Sequence, residues 1–146
     1  MSAARKSAEA EALAALEARF EEAGQTLLAL PATGHSPRLR MARYDIVHEA
    51  AEAYGWQPSG IRPPHPQAAA IDRMDEAFGW LRLIPDERFV VRRIVAARAL
   101  IHPITGRHLF PWRRLGTALR ADHKSIQRWH KDGLRLILAG VGAARG

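Results

Sequence analysis

The stretch FPWRRLGTALRADHKSIQRWHKDGLRLI, residues 110–137, is the most informative part of the chain. Its apolar residues recur at helical spacing on either side of a short polar break, which predicts two helices joined by a tight corner. Leu115 and Leu119 form one apolar face of the first helix, and Gly116 is small enough to let the second helix approach. The stretch is therefore either a DNA-reading element or a helical hairpin that is only incidentally basic.

The corner has a recognisable start and end. Trp112 follows Pro111 and begins the first helix, and Asp122 can cap the second helix through its carboxylate. The turn position that Gly usually occupies carries Arg120 instead, so we expect a wider or differently bent corner. Beyond the corner, four residues at helical spacing are predicted to face inward: Ile126, His130, Leu134 and Ile137.

The charge of the chain is strongly polarised. The net charge is +7, yet residues 1–60 carry six Lys and Arg against eight Asp and Glu. Residues 88–135 carry 12 basic residues and only two acidic ones, Asp122 and Asp132. Such a window is typical of proteins that bind a polyanion, and it favours nucleic acid over the alternative of a solvated helix face.

Composition narrows the class of protein further. A chain of 146 residues with 47% hydrophobic residues is long enough for one modest core. There is no cysteine, so disulfides, thiol catalysis and Cys-ligated metal sites are excluded. The first residues lack the apolar run of a signal peptide, and no stretch approaches a membrane span. We therefore expect a soluble, cytoplasmic protein.

An amphipathic helix is predicted over residues 7–30, with Pro31 ending it. Its apolar residues are spaced alternately by three and four, like a short coiled-coil seam. The seam consists of Leu13, Leu16, Phe20, Ala23, Leu27 and Leu30. It can serve as a homodimer interface or pack within the fold, and its short length favours packing.

Three more helices are predicted between this seam and the corner, over about 39–54, 67–84 and 86–101. Pro85 ends one of them and begins the next, where Asp86 and Glu87 complement the helix dipole. No alternation of period two occurs, so strands are not expected.

These elements predict an all-α fold of five to six helices with a C-terminal helix-turn-helix. The expected organisation is an N-terminal helical section over 1–56, a Pro-rich connector over 57–67 and a DNA-binding domain over 68–146.

Two segments together resemble region 4 of bacterial sigma factors: LIPDERFVVRRIVAARALI, and WRRLGTALRADHKSIQRWHKDGLRLI after it. The acidic helix start IPDER matches that family at 84–88, and the corner matches it at Trp112, Leu115, Gly116, Leu119 and Ile126. The resemblance covers about 68–140 and implies that the second helix of the corner enters the major groove of duplex DNA. The chain departs from the family in the longer loop at 102–111 and at Arg120. It also lacks the sigma regions that bind core polymerase.

The whole chain also resembles an uncharacterised family of small proteins encoded by phages and prophages of alphaproteobacteria. The segments EARFEEAGQTLLALP and PPHPQAAAIDRMDEAFGWL carry this second resemblance. It implies a phage or prophage origin and no mechanism.

Ten residues are candidates for contact with DNA. Those predicted to read base edges lie on the second helix: His123, Lys124, Gln127, Arg128 and Lys131. Those predicted to contact phosphates lie before or at the corner: Arg92, Arg93, Arg113, Arg114 and Arg120. The alternative for several of them is simple solvation of a helix surface.

Other residue types give weaker signals. Trp129 can stack on DNA or pack against neighbouring helices, and its spacing favours packing. His130 is most simply a core histidine. The histidines at 102, 108, 123 and 130 lack zinc-site spacing, and the adjacent acid pairs diverge around their helices, so neither a metal site, nor another cofactor, nor catalysis is expected.

The function predicted from the sequence is a non-enzymatic, sequence-specific duplex DNA-binding regulator of transcription. Two alternatives come from other classes: a packaging or recombination accessory like a small terminase subunit, and a module that docks on RNA polymerase through its basic helices. Oligomeric mass distinguishes a packaging accessory from a regulator. Salt-dependent DNA binding distinguishes both of these from a module that docks on RNA polymerase.

Overall fold

The computed structural model describes residues 2–30, 46–47, 50, 54 and 64–145. Within these residues the fold is all-α, as predicted, and the only β-type pairing there is an isolated bridge between Ile101 and His108. The α-helices of this part are α1 (Ala3–Ala29), α2 (Ala68–Gly79), α3 (Phe89–Ala99), α4 (Trp112–Leu119) and α5 (His123–Arg145).

The seam of α1 packs inside the chain. Five of its six side chains are buried, and Leu30 is half-buried. Phe20 meets Trp80 edge to face, with ring centroids 6.2 Å apart, while Arg19 pairs with Glu76 of α2 at 2.8 Å. The seam therefore packs within the fold. The chain's own helices already cover the side chains that were predicted as a possible homodimer interface.

Gly24 is where α1 crosses the end of α3. A Cβ atom placed on Gly24 would collide with the backbone carbonyl of Ala99. Glycine costs the helix about 1 kcal/mol relative to alanine, but here its missing side chain allows the two backbones to touch. This contact packs the carboxyl end of α3 against the carboxyl-terminal part of α1.

The two helices predicted on either side of Pro85 are partly 3₁₀ rather than α. The first ends as α-helix at Gly79 and continues as a 3₁₀ turn over Trp80–Leu83. The second begins as a 3₁₀ turn over Asp86–Arg88 before α3, and its last predicted residues, 100–101, are extended. Proline has no backbone N–H to donate to a helical hydrogen bond. The tighter 3₁₀ turn is a common way for a helix to end or begin beside such a residue.

The predicted helix over 39–54 and the connector over 57–67 lie largely outside the described residues. The described members include Val47, Ala50 and Tyr54, which are buried in the same core as α1. The ring of Tyr54 meets that of Phe110 edge to face at 5.7 Å. Residues 64–67 are irregular.

A ten-residue hairpin over 100–109, here called the 100–109 hairpin, joins α3 to α4. Its base is closed by Leu109 N–H donating to the Leu100 carbonyl at 3.0 Å, and His102 N–H donating to the Arg107 carbonyl at 2.8 Å. Near the tip, His102 Nδ1 accepts from the backbone N–H groups of Ile104 and Thr105. His102 therefore shapes a turn.

Helix α5 runs across α3 and α1. Gly133 allows the crossing with α3, because a Cβ atom there would lie 2.7 Å from Val95 Cγ2 and 2.8 Å from Val91 Cγ1. The Arg135–Glu9 ion pair, at 2.7 Å, links α5 to α1. Among the described residues, no helix combines the length and apolar character that a membrane span requires.

Candidate nucleic-acid interface

The corner between α4 and α5 is built on Gly116 and Leu115. Helix α4 begins at Trp112 directly after Pro111, as predicted. Leu115 and Gly116 are both buried, and a Cβ atom on Gly116 would lie 2.7 Å from the carbonyl oxygen of Ala121. Gly116, which was predicted to make room for the second helix, therefore makes room for the backbone of the turn that precedes this helix.

Arg120 adopts the left-handed conformation that a glycine would supply, with φ 52° and ψ 44°. Its N–H donates to the Thr117 carbonyl at 3.3 Å, and the N–H of Ala121 donates to the Gly116 carbonyl at 2.9 Å. These two bonds form the common left-handed ending of a helix. The expectation of a wider or differently bent corner was wrong, because the arginine accepts the strained backbone and leaves the turn tight.

Asp122 stands immediately before α5, at the position predicted for its cap. Its carbonyl accepts the N–H of Ile126 at 3.1 Å. Its carboxylate lies 3.6 Å from His123 Nδ1. The residue therefore begins the hydrogen-bond ladder of α5 and places a negative charge beside the positive end of the helix dipole.

The base-reading candidates lie along one exposed strip of α5. His123, Gln127 and Lys131 follow each other at intervals of four, and the other two lie one position further around the helix. All are exposed: His123, Lys124, Gln127, Arg128 and Lys131. The opposite side of α5 is buried through Ile126, His130, Leu134 and Ile137, as predicted.

Two of the phosphate candidates join this strip across the corner. Arg113 and Arg120 are exposed, and with His123 they line an open depression of about 620 Å³. Gly116, Thr117, Ala121 and Asp122 complete its lining. We call the exposed set the corner surface; it consists of Arg113, Arg120, His123, Lys124, Gln127, Arg128 and Lys131.

The other three phosphate candidates are engaged within the fold. Arg92 is only 19% exposed and pairs with Asp86 at 2.9 Å. Arg93 lies over the ring of Phe89, with its guanidinium carbon 5.2 Å from the centroid. Arg114 donates to the backbone carbonyls of Leu109 and Tyr54, each at 3.2 Å, so its guanidinium anchors α4. The structure therefore places Arg92, Arg93 and Arg114 outside the corner surface.

Arg98 is a buried arginine that the sequence did not single out, and it contacts the start of α4. Arg98 is 8% exposed and stacks over the Trp112 ring at 3.8 Å. It also donates to the Phe110 carbonyl at 3.2 Å and lies 3.2 Å from His108 Nε2. No helical periodicity distinguishes a buried Arg from an exposed one, since its burial depends on the segments that return to cover it.

The contacts of His108 define its protonation state. An arginine only donates, so Nε2 must accept from Arg98; Nδ1, 3.0 Å from the Arg98 carbonyl, must donate. This arrangement requires the neutral ring with its proton on Nδ1. Burial, followed by the charge of Arg98, lowers the pKa of His108.

His130 is the core histidine predicted from its spacing. It is 6% exposed and meets Trp112 edge to face at 5.2 Å. Burial, with a smaller contribution from the charge of Arg98, lowers the pKa of His130 to about 3. Trp129 packs half-buried against the core, which confirms the packing interpretation.

Metal binding has no support among the described residues, where no group of three His, Asp or Glu side chains converges closely enough to hold an ion.

A family model described as Domain of unknown function (DUF6362) matches residues 29–137. No curated protein and no solved structure gives a significant match. The matched residues include α2 to α4 and the first two thirds of α5, and they leave out almost all of α1. Because the match spans about three quarters of the chain, the protein belongs to this family.

Proposed function

We propose that this member of the DUF6362 family binds duplex DNA through the corner surface and acts as a sequence-specific regulator of transcription. Its place of action is the bacterial cytoplasm, on the nucleoid or on a phage or prophage genome. The proposal needs no cofactor.

The observation that carries the proposal is the convergence of exposed cations from two elements around one tight corner. Arg113 and Arg120 come from α4 and its end, and Lys124, Arg128 and Lys131 come from α5. The core anchors both helices through Leu115 and Ile126, each fully buried. A basic surface anchored to the core in this way is suited to bind the phosphates of a duplex.

The strip on α5 suits the major groove, which admits one α-helix. Gln127 can bond an adenine edge through its amide, and Arg128 can bond a guanine edge, each contributing about 1–3 kcal/mol of discrimination. Both lie near the start of α5, where a recognition helix presents its first turns to the bases. Arg113 and Arg120 then contact the flanking phosphates and add affinity without sequence information.

The first experiment measures binding of the full chain to a labelled 30-bp duplex of random sequence between 50 and 200 mM salt. Neutralising each phosphate contributes about −0.9 to the slope of log K against log salt. We expect a double variant, Arg113→Gln with Arg120→Gln, to reduce the magnitude of this slope by about two.

The matched control removes the same charge elsewhere. Arg82 and Arg88 are exposed on the two 3₁₀ turns, outside the corner surface. Arg82→Gln with Arg88→Gln should leave the slope close to that of the wild type. Absence of binding even at 50 mM salt, where phosphate contacts are strongest, would remove the proposed function.

A second experiment tests base reading separately from charge. Binding sites are selected from a random pool with the wild-type protein, and affinity for the selected site is compared with affinity for random duplex. Gln127→Ala and Arg128→Ala should each lower this ratio about fivefold or more, given about 1–3 kcal/mol per base contact. An unchanged ratio would exclude that residue from base reading.

A further inference from the structure

The 100–109 hairpin is longer and better ordered than a simple connection between α3 and α4 requires. Twelve residues separate Ala99 from Trp112, whereas helix–helix connections usually need about two to eight. Besides the two bonds at its base, the N–H of Gly106 donates to the His102 carbonyl at 2.8 Å. Such ordering costs conformational entropy, so an ordered long loop is a candidate for function.

The tip of the hairpin presents side chains typical of a nucleic-acid contact. Gly106 has φ 70°, which turns the chain back and leaves Arg107 exposed beside it. Ile104 is 52% exposed, the most exposed of the large apolar side chains among the described residues. An arginine binds a phosphate, and an aliphatic side chain can lie against deoxyribose.

The hairpin is held at a fixed position relative to the corner surface. His108 bonds the buried Arg98, Phe110 is fully buried, and Arg98 stacks on the first residue of α4. Arg107 is six residues before Arg113, so their Cα atoms are at most about 22 Å apart. That span is shorter than one turn of B-DNA, about 34 Å.

We infer that the tip of the 100–109 hairpin is a second DNA contact, with Arg107 binding the sugar–phosphate backbone beside the segment contacted by α5 and Ile104 packing on the same backbone. The inference rests on the proposed function of the corner surface. It also gives a role to the longer loop that distinguishes this chain from region 4 of sigma factors.

The first test measures the affinity and salt dependence of the full chain on a labelled 30-bp duplex of random sequence. Arg107→Gln should weaken binding about threefold to tenfold at 100 mM salt and reduce the salt slope by about one. Arg107→Lys should retain the slope, because it keeps the charge. Arg82→Gln removes the same charge from an exposed site outside both surfaces and should match the wild type.

The second test locates the tip on the duplex. The chain contains no cysteine, so Ile104→Cys introduces a single thiol that can carry an iron chelate generating hydroxyl radicals. Cleavage of the bound duplex from this position is expected. Leu83→Cys, at another exposed apolar residue that contacts the far part of α5 near Gly140, should give none.

Wild-type affinity and slope for Arg107→Gln, with no cleavage from residue 104, would overturn the inference while leaving the corner surface intact. A wild-type chain that binds no duplex would overturn both proposals. The two failures are therefore distinguished by the behaviour of the unmodified protein.

Discussion

Arg120 is held in a backbone conformation that costs an L-amino acid about 1–2 kcal/mol relative to the right-handed helical region. Glycine would avoid this cost, and the two hydrogen bonds that close the corner involve only backbone atoms. The side chain of Arg120 is exposed and lines the corner depression. Under the proposed function, stability is given up at this position for a phosphate contact.

The trade-off at Arg120 can be measured with two variants. Arg120→Gly should raise the free energy of unfolding by about 0.5–1 kcal/mol, because it relieves the left-handed strain at some entropic cost. Arg120→Ala loses the same guanidinium without relieving the strain, so it should not be stabilised. Both should weaken DNA binding and reduce the salt slope by about one. Urea denaturation measures the free energy of unfolding of the two variants. Equal values would contradict the predicted stabilisation by Arg120→Gly.

His130 makes the stability of the protein depend on pH. The pKa of His130 is lowered to about 3 in the fold, whereas an unfolded histidine takes its proton near 6.5. Between these values the unfolded chain binds the extra proton, so stability is fully present above about pH 6.5 and is lost as the pH falls. The lowered pKa of His108 acts in the same direction.

We therefore expect the free energy of unfolding to fall by about 1.4 kcal/mol per pH unit from His130 alone, between pH 6.5 and pH 4. Urea denaturation at half-unit intervals measures this slope. His130→Leu replaces the ring with an apolar side chain of similar size that cannot titrate, and it should flatten the profile by that amount. A variant with the wild-type slope would show that His130 titrates in the fold as it does in the unfolded chain.

At the scale of the helices, glycines decide how closely the elements approach. Gly24 in α1 meets the backbone of Ala99, Gly133 in α5 meets two valines of α3, and Gly116 meets the corner. Gly142, also in α5, has open space around its Cβ position. The same residue type is therefore required at the crossings and dispensable at the end of α5.

Gly24→Ala and Gly142→Ala should have opposite effects. The first forces the backbones of α1 and α3 apart and should destabilise the fold by about 1–3 kcal/mol or more. The second replaces an unobstructed helical glycine and should stabilise it by about 0.5–1 kcal/mol. Thermal melts of the two variants provide the comparison, and equal melting temperatures would contradict the assigned crossing.

The whole molecule depends on α1, although the family match begins only at its end. Leu13, Leu16, Phe20, Ala23 and Leu27 belong to the same buried cluster as residues of α2, α3 and α5. Burying each large apolar side chain contributes about 1.5–3 kcal/mol, while a domain of this size has a total stability of about 5–15 kcal/mol. The helices that carry the corner surface therefore pack on a core that includes α1.

A chain beginning at residue 29 should therefore lose cooperative unfolding and most of its helical circular dichroism. Adding a peptide of residues 1–30 in excess should restore part of the circular dichroism signal, because its seam would again cover the apolar surfaces of α2, α3 and α5 that the truncation exposes. A truncated chain that melts cooperatively at the wild-type temperature would contradict this role for α1.

The sequence by itself determined the all-α class, the apolar seam of α1, the beginning of α4 at Trp112 and the inward face of α5. These features follow from local spacing and from residue types with strong backbone preferences, which act within a few positions along the chain. The exposed strip of α5 follows from the same periodicity.

Only the tertiary structure decided which arginines are engaged in contacts within the fold. Arg92, Arg114 and the buried Arg98 look no different in sequence from Arg113, since a side chain is engaged only when distant segments supply the carboxylate, carbonyl or ring that it contacts. The left-handed Arg120 is likewise a tertiary result: the packing of α4 against α5 at Gly116 is strong enough to impose a conformation that the residue alone disfavours.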